Sequence, residues 1–222
     1  MEKTSFKWIC ISCLCLMSVC TRAQIMQDAN GRPLLEKKYI DVEGNPYLSE
    51  DWVQGTVTLA SGESYNDVPL KYDLVRNEPL FQNSKGEAMS FVSPVRKFSL
   101  QGNEKSVLQF RNGFKATDGG TPETFYQVLM DGETQLLKKI SKVVTETKPF
   151  NSATTVKTFE QVQILFLVKD GLPIKIRKDK KVVLEALGDY SAQLEAYIKA
   201  NKLNLKSEEG LIALVSYYNS LK

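Results

Sequence analysis

From Trp52 to Phe110 apolar and polar residues alternate with a period of two, and after Arg177 the period lengthens to 3.6. Alternation marks strands with one buried face, and the longer period marks helices with an apolar stripe. Strands first and helices last predict an α+β domain, not an alternating β/α chain. In the first strand Val53, Val57 and Leu59 share a face, Gly55 keeps their parity, and Gln54, Thr56 and Thr58 lie between. After Ser61-Gly62-Glu63, the residues Val68, Leu70, Tyr72 and Leu74 alternate with Pro69, Lys71 and Asp73. Asn83-Ser84-Lys85-Gly86 separates Leu80–Gln82 from Met89–Val92, and Arg96–Leu100 and Ser106–Arg111 follow. Short strands joined by Gly/Asn/Ser turns predict an antiparallel meander, either a curved sheet or a half-barrel.

Residues 112–124 read as a flexible loop. Asp131-Gly132 and Asp170-Gly171 each lie between apolar runs, where a two-residue hairpin turn needs φ > 0. They predict the hairpins Phe125–Met130/Thr134–Val144 and Val162–Val168/Leu172–Arg177. Gln161–Val168 is apolar enough to be a central strand buried on both sides. Beyond Arg177, Val183, Leu184 and Leu187 predict a short helix closed by Gly188. Leu187, Tyr190, Leu194, Tyr197 and Ile198 form a stripe ended by Asn201. Ser207 is a good N-cap for a last helix whose Leu211, Leu214, Val215, Tyr218 and Leu221 share a face. Glu208, Glu209 and Lys222 match its dipole. Two to three C-terminal helices are therefore expected to pack on the sheet.

The N-terminus reads as a signal peptide over residues 1–23. Lys3 and Lys7 precede the twelve-residue apolar stretch Trp8–Val19, and Thr21-Arg22-Ala23 offers small residues before Gln24. Twelve residues span about 18 Å as a helix, short of the roughly 30 Å of bilayer hydrocarbon. No later segment reaches that length, so export to the periplasm or the extracellular space is expected, with no transmembrane helix in the mature chain. Cys20 offers a competing lipidation site, but the bulky Val19 before it departs from the small residue a lipobox wants. Residues 24–50 form a polar, mobile N-terminal arm with turn formers at Asn30-Gly31-Arg32-Pro33 and Glu43-Gly44-Asn45-Pro46. Within it only Lys38–Val42 resembles a strand. Residues 51–222 then make one domain, sheet over 51–177 and helices over 178–222.

All four cysteines lie within the first twenty residues, and histidine is absent from all 222. Removing residues 1–23 leaves 199 with neither, which excludes disulfides, thiol catalysis, a Ser-His-Asp triad and a Cys/His zinc site. No G-x-S-x-G, G-x-G-x-x-G or P-loop occurs, and neither S-x-x-K nor K-T-G appears in the mature chain. No cofactor is expected. A carboxylate pair needs no histidine, so glycan hydrolysis survives this filter. Its best candidates are Asp118 and Glu123 around Gly119-Gly120-Thr121-Pro122, with Asp131 and Glu133 at the next turn. Such residues are also ordinary turn formers. Asp118-Gly119-Gly120-Thr121 lacks the spacing of a calcium loop.

Lys169, Lys175, Arg177, Lys178, Lys180 and Lys181 place six cations in a thirteen-residue span. They are a candidate patch for an anionic surface of phospholipid or lipopolysaccharide, or lysines that keep a sheet edge from wrong pairing. The leader carries Lys3, Lys7 and Arg22 against Glu2, so the mature chain retains only +1 of the formal +3. With no aromatic interleaving, nucleic acid is not expected as a partner. Tyr218 lies on the last helix's stripe and reads as core, with Tyr217 at its flank.

Two stretches carry a resemblance. One is Gly55-Thr56-Val57-Thr58-Leu59, then Asp67-Val68-Pro69-Leu70-Lys71-Tyr72-Asp73 and Lys97-Phe98-Ser99-Leu100. The other is Tyr197-Ile198-Lys199-Ala200-Asn201-Lys202-Leu203, then Leu214-Val215-Ser216-Tyr217-Tyr218-Asn219-Ser220-Leu221. They resemble a recurring type of uncharacterised exported protein from Bacteroidetes-like bacteria. The resemblance implies an exported β-meander with C-terminal helices; it implies no activity, since such proteins carry no assigned catalytic residues to transfer. The reading that results is a non-enzymatic, exported binding or envelope-associated protein, with a carrier of lipid or another apolar ligand as its most concrete subtype. A carboxylate-dependent glycan hydrolase and an adhesion module are the alternatives.

Overall fold

In the computed structural model, residues 31–34, 39–102, 106–117, 119–148 and 154–222 are described. The leader, Cys20, residues 24–30, Lys38 and Asp118 fall outside them. Among the described residues the strands are β1 (Gly31–Pro33), β2 (Val42–Glu43), β3 (Val53–Leu59), β4 (Ser64–Asp73), β5 (Glu78–Gln82) and β6 (Ala88–Phe91). They continue with β7 (Val95–Gln101), β8 (Val107–Arg111), β9 (Tyr126–Met130), β10 (Gln135–Thr147), β11 (Val156–Lys169) and β12 (Leu172–Ile176). The helices α1 (Lys180–Leu187), α2 (Ser191–Ala200) and α3 (Glu208–Ser220) follow. This is the α+β architecture that the change of period predicts: an open, curved, antiparallel-rich sheet followed by C-terminal helices.

The strand order is β1-β6-β5-β4-β3-β7-β8-β9-β10-β11-β12, with β2 pairing parallel to β11. Within β3–β12 the meander is thus interrupted once, because β7 pairs with β3 instead of β6. Curvature explains how residues 92–94 suffice for that connection: the Ala60 N–H, just after β3, reaches the Pro94 carbonyl at 2.7 Å. Gly55 in β3 is required by the same crowding, since a Cβ there would collide with the Ser99 carbonyl of β7. The backbone N–H of Lys142 in β10 donates to Leu74 O just after β4, at 3.0 Å, tying the curl back on itself.

The concave interior is filled. Rings of Tyr72, Phe98, Phe110 and Phe125 pack with centroids 4.8–6.3 Å apart, joined by Val57, Leu70 and Ile140. Each such ring removed from water is worth about 2–3 kcal/mol. A second core lies between sheet and helices, where Leu136, Leu165, Leu167 and Ile176 meet Val183, Leu187, Leu194, Leu211, Leu214 and Tyr218. A third, of Tyr126, Leu137, Phe166 and Val168, is covered by Phe114. β11 is accordingly buried on both sides, but only over Leu165–Val168; its first half, from Val156, is half-buried or exposed. Its burial ends there because α1–α3 pack over the Leu165 end and not over the hairpin's far end.

Five local expectations need correction. Gly31-Arg32-Pro33 is no turn but edge strand β1 on β6, with proline at an edge that needs no donor and Gly31 where a Cβ would strike Phe81. The strand expected at Lys38–Val42 is only Val42–Glu43, with a turn at 39–41. Residues 45–48 are docked, not mobile: Leu48 N–H donates to Tyr72 O, and Lys142 Nζ donates to Asn45 O and Tyr47 O, both at 2.8 Å. The described part of 112–124 also packs down, through Phe114 against Tyr126 and Gly113 N–H to Pro122 O. Asp170-Gly171 forms the predicted two-residue turn, with φ of 53° and 74°. Asp131-Gly132 does not; residues 131–134 make a longer loop, because Asp131 binds Arg111 and Thr134 is held by Asn219.

Candidate functional site

The chain order that makes β12 run into α1 spreads the six clustered cations over a strand edge and a helix start. Half of them are engaged. Lys169 Nζ donates to Asp189 at 2.8 Å and to Leu187 O at 2.9 Å; the Asp189 bond first, with contributions from Tyr218, raises its pKa. Lys180 faces Glu195 at 3.3 Å, and Lys181 faces Glu185 at 4.0 Å, one turn along α1. Lys175, Arg177 and Lys178 form no ion pair with a described residue, and all three are exposed. They line one cleft of about 380 Å³ whose floor includes Ile164, Leu165 and Ile176. At its wall Lys138 Nζ bonds both oxygens of Glu208, at 2.8 and 2.9 Å. Beside it on the edge strand, Leu172 and Ile174 are 52% and 41% exposed. The cleft therefore offers excess positive charge next to accessible aliphatic surface.

Of the carboxylates singled out for hydrolysis, Asp118 lies outside the described residues, and Glu123, Asp131 and Glu133 are not arranged as an acid and a nucleophile. Asp131 accepts from Arg111 at 3.0 Å, from Gly132 N–H and from Gln135, and the Arg111 bond chiefly holds its carboxyl below the usual range. Glu133 takes Lys222 at 2.6 Å. The Thr121 hydroxyl and its own backbone N–H lower exposed Glu123. A general acid needs the opposite shift. The carboxyl that burial does raise is Asp73, which the sequence did not single out. Its Oδ1 accepts from Val75 N–H and Arg76 N–H at 2.9 Å, so it closes the turn after β4. Among the described residues no group of three or more His, Cys, Asp or Glu could hold a metal ion.

A second depression, of about 500 Å³, crosses the outward face of β3, β4, β7, β8 and β9. Register builds it: Thr58, Lys97 and Arg111 stand side by side across three strands, and Thr56, Ser99 and Gln109 form the next row. Asp131 closes one end on Arg111. The sequence holds a signal for this groove in the polar parity of each strand, but only register shows which strands bring their polar residues together.

Tyr218 is fully buried and donates to Leu187 O at 3.1 Å, while Tyr217 stacks on Tyr197 at 3.9 Å, so both serve packing. No described helix is long and apolar enough to cross a membrane. The chain matches no family model, no curated protein and no solved structure.

Proposed function

We propose that the protein is an exported, non-enzymatic binding module of the cell envelope that meets an anionic amphiphile through the cleft of Lys175, Arg177 and Lys178. The observation that carries this reading is the meeting of three exposed cations with an aliphatic floor and with Leu172 and Ile174 on β12, the last described strand of the sheet order. None of the three is in an ion pair with a described residue, and only Lys178 lies in the field of a nearby carboxylate, Glu209. Headgroup phosphates suit the cations, and acyl or glycerol carbons suit the floor. A reading as a carrier gains nothing from the concave interior, where four aromatic rings occupy the space a lipid would need. A glycan hydrolase gains nothing from Asp131 and Glu133, each tied to a cation.

Sedimentation with vesicles tests the proposal. The processed chain, without residues 1–23, should partition onto vesicles containing phosphatidylglycerol and not onto pure phosphatidylcholine. Each basic residue near an anionic surface contributes about 1 kcal/mol, so the combined Lys175→Glu, Arg177→Glu, Lys178→Glu chain should bind at least about tenfold more weakly. Equal partitioning of the two chains, or equal binding to both vesicle types, overturns the reading.

A further inference from the structure

Like charges placed directly opposite each other on neighbouring strands destabilise a sheet. Lys97 of β7 and Arg111 of β8 are such a pair, and both point into the outward groove. Asp131 neutralises only one of them. It binds the Arg111 guanidinium at 3.0 and 3.4 Å and fixes its plane, while Lys97 has no ion pair with a described residue. The three charged groups therefore leave the groove with one excess positive charge. Around them stand hydroxyl and amide groups of Thr58, Ser99 and Gln109, which can donate and accept. At about 500 Å³ the groove is of the size that takes a whole small ligand, not merely a single oxyanion.

We propose that this groove on the outer face of β3, β7 and β8 binds an acidic saccharide, its carboxylate or sulfate lying against Lys97 and Arg111 and its ring hydroxyls against Thr58, Ser99 and Gln109. The Lys97–Arg111 juxtaposition, which Asp131 compensates only at Arg111, is the structural cost that such a ligand removes. The site is separate from the β12 edge cleft and does not depend on that reading.

Calorimetric titration of the full chain with four probes tests it: tetragalacturonate, a chondroitin sulfate tetrasaccharide, maltotetraose and sodium sulfate. At least one acidic tetrasaccharide should bind with a Kd below about 1 mM, and maltotetraose and sulfate at least about tenfold more weakly. Lys97→Gln should lose about tenfold of that affinity while its Tm stays equal or rises, since one of two opposed charges is gone. The combined Lys175→Glu, Arg177→Glu, Lys178→Glu chain should bind the same probe as tightly as the unaltered chain. No binding of either acidic probe overturns the proposal, as does equal binding of maltotetraose or of sulfate alone. It is overturned equally if Lys97→Gln binds unchanged, or if binding is lost in the edge-cleft chain instead.

Discussion

Asp73 is 2% exposed, and burial raises its carboxyl pKa despite the two backbone N–H bonds and the Arg76 charge that oppose it. A carboxyl whose folded pKa lies above its unfolded value binds more protons when folded. Between those two values stability therefore falls as pH rises, and above the folded pKa the full penalty is present. Asp73→Asn keeps an Oδ1 acceptor for Val75 and Arg76 and removes the charge. The Asn chain should thus match or exceed the unaltered chain in urea at pH 7, and that advantage should shrink as pH falls through the folded pKa. Asp73→Ala, which strands both N–H groups, should cost about 1–3 kcal/mol at either pH. Chevron midpoints at pH 7 and at a mildly acidic pH separate the two effects. An Asn chain with a pH-independent deficit would show that the charge itself stabilises the turn.

The helices were legible because their ends are chemical. Gly188 closes α1 with φ of 79° and Ser207 accepts from Gly210 N–H, so these two boundaries are written in single residues, whereas the N-cap Asp179, which accepts from Val182 N–H, was not read from the sequence. Tyr190 shows the limit: it has the parity of the stripe but sits ahead of α2 in the left-handed region, its ring against Tyr218. β1 and the 131–134 loop were illegible for a different reason. Gly31-Arg32-Pro33 becomes a strand only because β6 lies beside it, and the loop takes its form from a residue 85 positions away. Asn219, near the end of α3, accepts from Thr134 N–H at 3.0 Å and donates to Thr134 O at 2.8 Å, which pins the β9–β10 loop to the helix. Asn219→Ala leaves both backbone groups without that partner and should cost about 1–3 kcal/mol. Hydrogen exchange should quicken at residues 131–135 while α1 is unchanged. Unchanged exchange at that loop would mean the pin is redundant.

At the scale of the molecule, the basic cluster was legible as a run in the sequence, yet its division into three ion-paired cations and three with no ion pair to a described residue depends on Asp189, Glu195 and Glu185. The outward groove was not legible, because its rows join residues from three strands and a one-residue change of register would turn them inward. β10 has the same integrative part for stability: Leu136 belongs to the helix core, Leu137 to the core under Phe114, and Ile140 to the aromatic core. One strand thus carries side chains of all three cores, and it cannot leave one without disturbing the others. Unfolding should therefore be a single cooperative transition even though the helices cover only one end of the sheet. In a Trp8→Phe chain, Trp52 at the foot of β3 reports on the meander, where Lys71 lies 5.0 Å from its ring, and helical circular dichroism reports on α1–α3. The two urea transitions should superimpose. Leu214→Ala, in the helix core, should cost about 2–5 kcal/mol and shift both by the same amount. Helices that melt first, with Trp52 fluorescence unmoved, would mean that β10 transmits nothing between the cores.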